Sequence, residues 1–455
     1  MPVTRRTAIS ALPLAAAIAA DTPPARAQQP SNSLGRPIFG AKQWRLENGL
    51  RVVLAESHRA PLVAHYVFYG AGAGEDPQGI GGVAHFMEHM MFKGSGNVPS
   101  GDFSRLVARQ GGQDNAFTSR DVTAYYQHVE SSRLALVMRM EADRMAGPLF
   151  NPAEFEAERS VVLEERRQVV ESQPRSKFRE SFDAAMWGRQ HWRGRPIIGW
   201  EEEIRAISRD DMLAFFGARY APGNATLVVA GDVTEDQLRE LVDQTYAKVP
   251  ARAFTPRARG DIPAAPGMPR IEQTSPATRE ASFTRAIAAP SATWGEKRHA
   301  WPLEVLSHVL GGGTGSRLHK ALVESGLAVS AGAGYDSDVV GAGIFTVAAT
   351  LRAPNTREAL EQAANAEIAR IAQDGATEAE VSRSIRQLTA GAMLALDGLG
   401  AAPRMLGGAL AIGLPLEDVE HWPDKLRAVT TAQVNEAARA VLVNPLTTSG
   451  WLLPA

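Results

Sequence analysis

Over one stretch of this chain no helix or strand period survives. Between Pro250 and Pro276 the prolines Pro250, Pro256, Pro263, Pro266, Pro269 and Pro276 are spaced among Ala and Arg residues. Such a composition joins compact units rather than forming one. It divides the chain into residues 40–249 and 277–455, with 250–276 as linker. The two parts end alike. Ile207-Ser208-Arg209-Asp210-Asp211 opens a helical pattern through Phe215 and Phe216; Pro222-Gly223-Asn224 stops it, and an apolar strand follows from Thr226 to Ala230. Val429-Thr430-Thr431 opens a second helix through Val434 and Ala437, and Asn444-Pro445 leads into a strand from Thr448 to Leu453. One order of cap, helix, turn and strand at the end of each part predicts two similar halves arisen by duplication.

Within each half, strands group with strands and helices with helices, which is the pattern of an α+β fold. Leu50–Ala55 and Leu62–Tyr69 read as a pair of strands. Asn115–His128 reads as a further strand, with Val122, Ala124, Tyr126 and His128 alternating with polar neighbours.

Charge and cysteine content exclude several functions. The 48 basic and 50 acidic side chains leave a net charge of −2, so there is no basic excess to displace counterions from nucleic acid. No apolar run approaches the roughly 18–20 residues that span a bilayer. With no Cys, disulfides, thiolate metal sites and cysteine nucleophiles are excluded. At the N-terminus, Arg5-Arg6 precedes an apolar stretch from Ala11 to Ala20, and Ala25-Arg26-Ala27 fits a small-residue cleavage site before Gln28. Residues 1–27 are therefore expected to be a signal peptide, and the Arg pair admits the twin-arginine route. The mature chain is expected to be periplasmic or secreted.

The chemistry concentrates in Gly81-Gly82-Val83-Ala84-His85-Phe86-Met87-Glu88-His89-Met90-Met91-Phe92-Lys93-Gly94. Val83, Phe86, Met87 and Met90 recur at helical spacing, so His85, Glu88 and His89 share one face at i, i+3 and i+4. Two imidazoles one turn apart can converge on one metal ion. Zinc held by only three protein ligands keeps a position for water, and a nearby carboxylate can take that water's proton as it attacks a carbonyl. Glu88 stands in the place for that task. A third ligand must be His, Asp or Glu. Asn151-Pro152 is a strong helix start, and the helix it opens carries Glu154, Glu156, Glu158, Glu164, Glu165 and Glu171. Glu158 and Glu165 lie seven residues apart on one face, while Glu164 points about 100° away from Glu165. Periodicity does not choose among them.

These motifs carry a resemblance. His85-Phe86-Met87-Glu88-His89 with Phe92-Lys93-Gly94, then Asn115-Ala116-Phe117-Thr118-Ser119 and Glu158-Arg159-Ser160-Val161-Val162-Leu163-Glu164-Glu165, resemble the pitrilysin-type inverted-zincin metallopeptidases. The nearest branch is the one like mitochondrial processing peptidase, which includes bacterial subunits of about this length. The resemblance implies two α+β halves closing as a clamshell around a peptide-binding cleft. It implies a zinc cofactor bound by His85, His89 and Glu165, with Glu88 as general base and Glu158 supporting the metal site from behind. It also implies that Asn115, Ala116 and Thr118 lie on an edge strand that binds extended peptide substrates, where strand addition supplies the affinity.

In the second half, Leu310-Gly311-Gly312-Gly313-Thr314-Gly315-Ser316-Arg317-Leu318 and Gly326-Leu327-Ala328 also match the family. Members that act alone place an Arg and a Tyr, seven residues apart, around this Gly-Leu-Ala segment to stabilise the tetrahedral carbonyl. Leu322 and Val329 occupy those positions here, and neither can donate a hydrogen bond. Losing such a donor costs roughly a hundredfold in rate or more. The expected assembly is a heterodimer with a homologous subunit that lacks the zinc motif and supplies the Arg/Tyr pair, unless Arg317 or Tyr335 substitutes in cis. The other reading is a noncatalytic peptide-binding or assembly subunit with a structural zinc site.

Overall fold

The computed structural model describes residues 35–259, 262, 268–396 and 398–455. The expected signal peptide lies outside them. Two open sheets organise the chain. The first contains β1 (Lys42–Arg45), β2 (Arg51–Glu56), β3 (Leu62–Tyr69), β4 (Gln113–Thr118), β5 (Thr123–Glu130) and β6 (Ala225–Gly231), in the order β1-β2-β6-β3-β5-β4. The second contains β7 (Arg270–Ser275), β8 (Ser282–Ala289), β9 (Ala328–Asp336), β10 (Gly343–Leu351) and β11 (Thr447–Pro454), in the order β7-β11-β8-β10-β9. Apart from β1 the two orders are the same. In each, the last strand of the half inserts next to the first and runs parallel to it, and every other pairing is antiparallel. The α+β class and the two similar halves expected from sequence are thus observed.

Three local expectations need correction. The strands β2 and β3 do not pair with each other, because β6 lies between them, aligning Arg51 with Thr226 on one side and Val63 with Gly231 on the other. Every residue of β6 is buried, and a strand with no polar face belongs at the centre of a sheet. The expected strand Asn115–His128 is a hairpin: Ser119 folds the chain back by donating its N–H to Val122 O (2.8 Å), while its hydroxyl accepts the N–H of Asp121 and of Val122. The segment read as linker contains β7, paired with β11. Its arginines dock the preceding residues on the first half. Arg257 donates to Gly70 O and Asp121 O, and Arg259 pairs with Asp121 (2.6 Å) and Glu75 (2.9 Å).

The helices that position the site and join the halves are α1 (Val83–Met90), α2 (Pro152–Arg166), α3 (Pro174–Trp187), α4 (Ala300–Gly311), α5 (Glu378–Ala395) and α6 (Ala401–Ala411). Asn151 caps α2 as expected, its side chain accepting the N–H of Ala153 at 2.9 Å with Pro152 in the first turn. Each sheet buries one face under helices of its own half. Val52, Leu54, Val63 and Val67 pack with Phe86, Met87 and Met90 of α1, and Phe283, Ile287, Phe345 and Val347 pack with Leu303, Leu306 and Leu310 of α4. The opposite faces are apolar too, and a helix of the other half covers each. Leu406, Ala409 and Leu410 of α6 cover Val53, Tyr66, Phe68 and Val228; Phe178, Phe182 and Met186 of α3 cover Ala286, Ala288, Ile344 and Leu452.

This reciprocal exchange is close at Gly407, where a Cβ would lie 2.0 Å from the Phe68 ring. The Gly407→Ala variant should lose about 1–3 kcal/mol of stability through overpacking. The next residue, Gly408, has nothing within 4 Å of its Cβ position, so Gly408→Ala should be neutral or stabilising by up to about 1 kcal/mol. Urea unfolding of the two variants reads the difference.

Candidate metal centre

Helix α1 is placed by its own apolar residues and by a polar clamp at its start. Val83, Phe86, Met87 and Met90 are fully buried in the first core, which turns His85, Glu88 and His89 toward α2 and β4. The chain enters α1 through Gly82 at φ 92°, where a Cβ would lie 2.4 Å from Ile198 O. The buried carboxylate of Asp76 accepts the N–H groups of Gly82 (2.6 Å) and Ala84 (3.0 Å), and Glu203 accepts the N–H of Gly81 (3.1 Å). A carboxylate there satisfies amides the helix leaves unpaired and favours its positive end. Burial pushes the Asp76 carboxyl up to about 7 against the opposing effect of those two amides.

On α2, the spacing left several glutamates as alternatives, and packing separates them. Glu165 Oε2 lies 3.2 Å from His89 Nε2 and 3.8 Å from His85 Nε2, and one ligand-type atom from each of the three lies within 4.8 Å of the others. Glu164 turns outward and pairs with Arg167 at 3.1 Å. Glu158, two turns earlier on the same face as Glu165, reaches the other ring nitrogen of His89 at 2.8 Å and pairs with Lys93 at 2.5 Å. Burial alone would lower the basicity of His89, but Glu158, Glu165 and Glu88 raise it to about 9. For Glu158, burial works to raise the pKa, and His89 with Lys93 outweighs it, leaving the carboxyl below its ordinary range.

Strand β4 is the outer strand of its sheet and runs beside α1. Asn115 and Ala116 lie on it opposite Tyr126 and Tyr125. Thr118, expected on the peptide-binding strand, uses its hydroxyl within the protein, donating to Glu88 Oε2 at 2.7 Å with Thr123 Oγ1 3.3 Å away. Sequence reasoning had not singled out this contact, the Lys93–Glu158 pair or the Asp76 clamp. Asp76 stands six residues before the N-cap Gly82, outside the reach of any local capping signal, so only the folded chain reveals it. In the second half, Leu322 is fully buried in the core and Val329 is 45% exposed on the outer strand β9.

The fold and the cluster together define a duplicated α+β protein in which one half presents two imidazoles and a carboxylate to a common point, beside a further carboxylate. Comparison with known proteins gives the family. The description "Insulinase (Peptidase family M16)" matches residues 51–199, and "Peptidase M16 inactive domain" matches residues 206–388. The chain belongs to peptidase family M16, the pitrilysin family. It is 30% identical over 412 residues to an uncharacterized zinc protease of Mycobacterium leprae, covering 89% of each chain. It is 28% identical over 408 residues to the mitochondrial-processing peptidase subunit beta of Blastocladiella emersonii, covering 87% of this chain and 84% of that one. A solved protease from Helicobacter pylori shares the fold with a TM-score of 0.83 at 23% identity, over 92% of this chain and 100% of that one. Among the described residues, no helix is long and apolar enough to cross a membrane.

The Asp76 clamp has a measurable consequence. Asp76→Ala should cost about 1–2 kcal/mol and speed amide hydrogen exchange in the first turn of α1. Asp76→Asn, which keeps an acceptor, should lose less.

Proposed function

We propose that the chain is the zinc-binding subunit of an endopeptidase that hydrolyses extended peptides or unfolded polypeptides, and that a partner subunit completes its active site. The observation that carries this reading is the convergence of His85, His89 and Glu165 with Glu88 on the same helix face. Two imidazole nitrogens and one carboxylate oxygen form a donor set that suits zinc with a position left open. Relatives named zinc proteases support the choice of metal. Zinc held by these residues supplies a Lewis acid for the scissile carbonyl and makes water a better nucleophile near neutral pH.

The chain's own residues do the rest. Glu88 accepts the proton of the attacking water and returns it to the leaving amine. Thr118, bonded to one Glu88 oxygen, holds that carboxylate in a single orientation. Glu158 orients His89 through its second nitrogen. The outer strand β4 has one edge open to strand addition by an extended peptide, and there the N–H of Ala116 is held by the Asn115 side chain (2.9 Å), which an incoming peptide carbonyl would have to displace.

The partner is inferred from what the second half lacks. Leu322 and Val329 have no donor for an oxyanion, and the two alternatives within the chain are engaged elsewhere. Arg317 forms a double hydrogen bond to Glu380, both contacts at 2.8 Å, and the Tyr335 hydroxyl donates to Pro290 O at 2.5 Å. A relative that is by name one subunit of mitochondrial-processing peptidase is consistent with a split enzyme. Export rests on the Arg5-Arg6 and Ala25-Arg26-Ala27 segments of the sequence. The same missing donors favour the second reading, a noncatalytic peptide-binding subunit, and Glu88 argues against it because a structural metal has no use for a base.

Peptide hydrolysis and zinc content, measured on the chain alone and with a co-expressed homologue lacking the zinc motif, test both readings. Activity should appear with the partner and be about a hundredfold weaker without it. The Glu88→Gln variant should keep zinc and lose about 10²–10⁴ in rate. Glu165→Ala should lose the metal, and Glu158→Ala should bind it about 10–100-fold more weakly. Full activity of the single chain would refute the partner; unchanged function in Glu88→Gln would refute the peptidase.

A further inference from the structure

The second half repeats the setting of the metal cluster without its donors. In the first half the cluster lies where α1, α2 and the end of β4 meet. By order along the chain and place in the sheet, the counterparts are α4, the first α-helix after β8; α5, which precedes the exchanged helix as α2 does; and β9, the outer strand of the second sheet. Those three elements, together with α6 and the short helices Leu416–Glu420 and Trp422–Arg427, line a half-open cavity of about 670 Å³. Where α1 presents His85 and Glu88, α4 presents Trp301 and Glu304; where α2 presents Glu165, α5 presents Leu388 and Ala392.

The charges lining this cavity do not balance in the ordinary way. Asp336 is paired with Arg193, and Asp418 with Lys425. No hydrogen bond or ion pair among the described residues reaches the carboxylate of Glu304, whose pKa burial and the neighbouring Asp338 push up to about 7. Lys297 also lines the cavity, and among the described residues no ion pair joins it to Glu304. A half-buried carboxylate beside a second acid is eased either by protonation or by a nearby cation. The other walls suit a cation with a carbon stem: Trp301, Tyr335 and Trp422 offer aromatic surface, and Leu388 and Met405 offer apolar surface. The volume lies within the range of small-molecule sites.

We propose that this cavity is a second, noncatalytic binding site that takes an organic cation, an ammonium or guanidinium group on an apolar stem, with Glu304 as its anionic partner. By element order and place in the sheet, the site corresponds to the metal cluster of the first half, with an acid and an apolar lining where the first half has metal donors. It stands whether or not the peptidase reading does. Because α6 walls the cavity and also covers the first sheet, an occupant touches the joint between the halves.

The test is a titration of the full chain with 2-phenylethylammonium, followed by tryptophan fluorescence, since Trp301 and Trp422 line the cavity. The expected result is a saturable change that the neutral isostere 2-phenylethanol reproduces about tenfold more weakly or less. Glu304→Gln should weaken the cation about tenfold without lowering the melting temperature, because it exchanges an unpaired carboxylate for a neutral isostere. Asp338→Asn, an exposed change, should weaken it about threefold and serves if Glu304→Gln does not fold. Glu165→Ala should bind the cation as the unaltered chain does, which separates this cavity from amine coordination at the metal cluster. Equal binding of the alcohol, undiminished binding in both acid variants, loss of binding in Glu165→Ala, or no saturable response up to about 10 mM would each overturn the proposal.

Discussion

Each sheet of this protein is apolar on both faces, and each half covers only one of them. The uncovered face of the first sheet, with Val53, Tyr66, Phe68 and Val228, is sealed by α6 from the second half; the uncovered face of the second is sealed by α3 from the first. Burial of that surface is the dominant favourable term available to a chain without disulfides. It follows that neither half is a finished unit alone. The joint carries polar fastenings as well. Buried Arg193 donates to Ala342 O at 2.5 Å and stacks on Trp187 and Trp192, and the linker arginines tie the crossing segment to Gly70 and Asp121.

Against that apolar frame the candidate site is a deliberate exception. His89, Glu88, Glu158 and Asp76 are all buried in or beside the first core. Buried ionisable groups destabilise a fold unless each has a partner. Here they do: Glu158 has His89 and Lys93, Glu88 has Thr118, and Asp76 has the amides that open α1. The result is a constellation on two helices and an outer strand in which each carboxylate is held in place by its partners.

Duplication explains why one chain holds both this constellation and, at the corresponding place in the second half, a cavity of different chemistry. The topology common to the two sheets fixes where a helix face, a second helix and a strand end must meet. Side chains at that meeting point are then free to diverge, toward imidazoles in one half and toward Glu304 with aromatic walls in the other. Fold and function separate at this level: backbone order makes the recess, and a few residues decide what enters it.

Much of this was legible along the chain. The helix carrying His85, Glu88 and His89, the Asn151 cap, the α+β class and the repeated ending of each half follow from periods and caps, which are local properties of the backbone. Other features were not. That β6 separates β2 from β3 depends on pairing between residues some 170 positions apart, and a strand's neighbours are not encoded in its own alternation. Periodicity left open the glutamate that meets the two histidines for the same reason, and only the family resemblance pointed to Glu165. Glu158, Glu164 and Glu165 ride one helix, and only its rotation against α1 turns Glu165 to the imidazoles, Glu158 to the back of His89 and Glu164 to Arg167. The sequence by itself determined which side chains share a helix face, because 3.6 residues per turn is a property of the chain. Tertiary structure alone decided which faces meet, because that is settled by burying two-sided sheets under helices drawn from both halves.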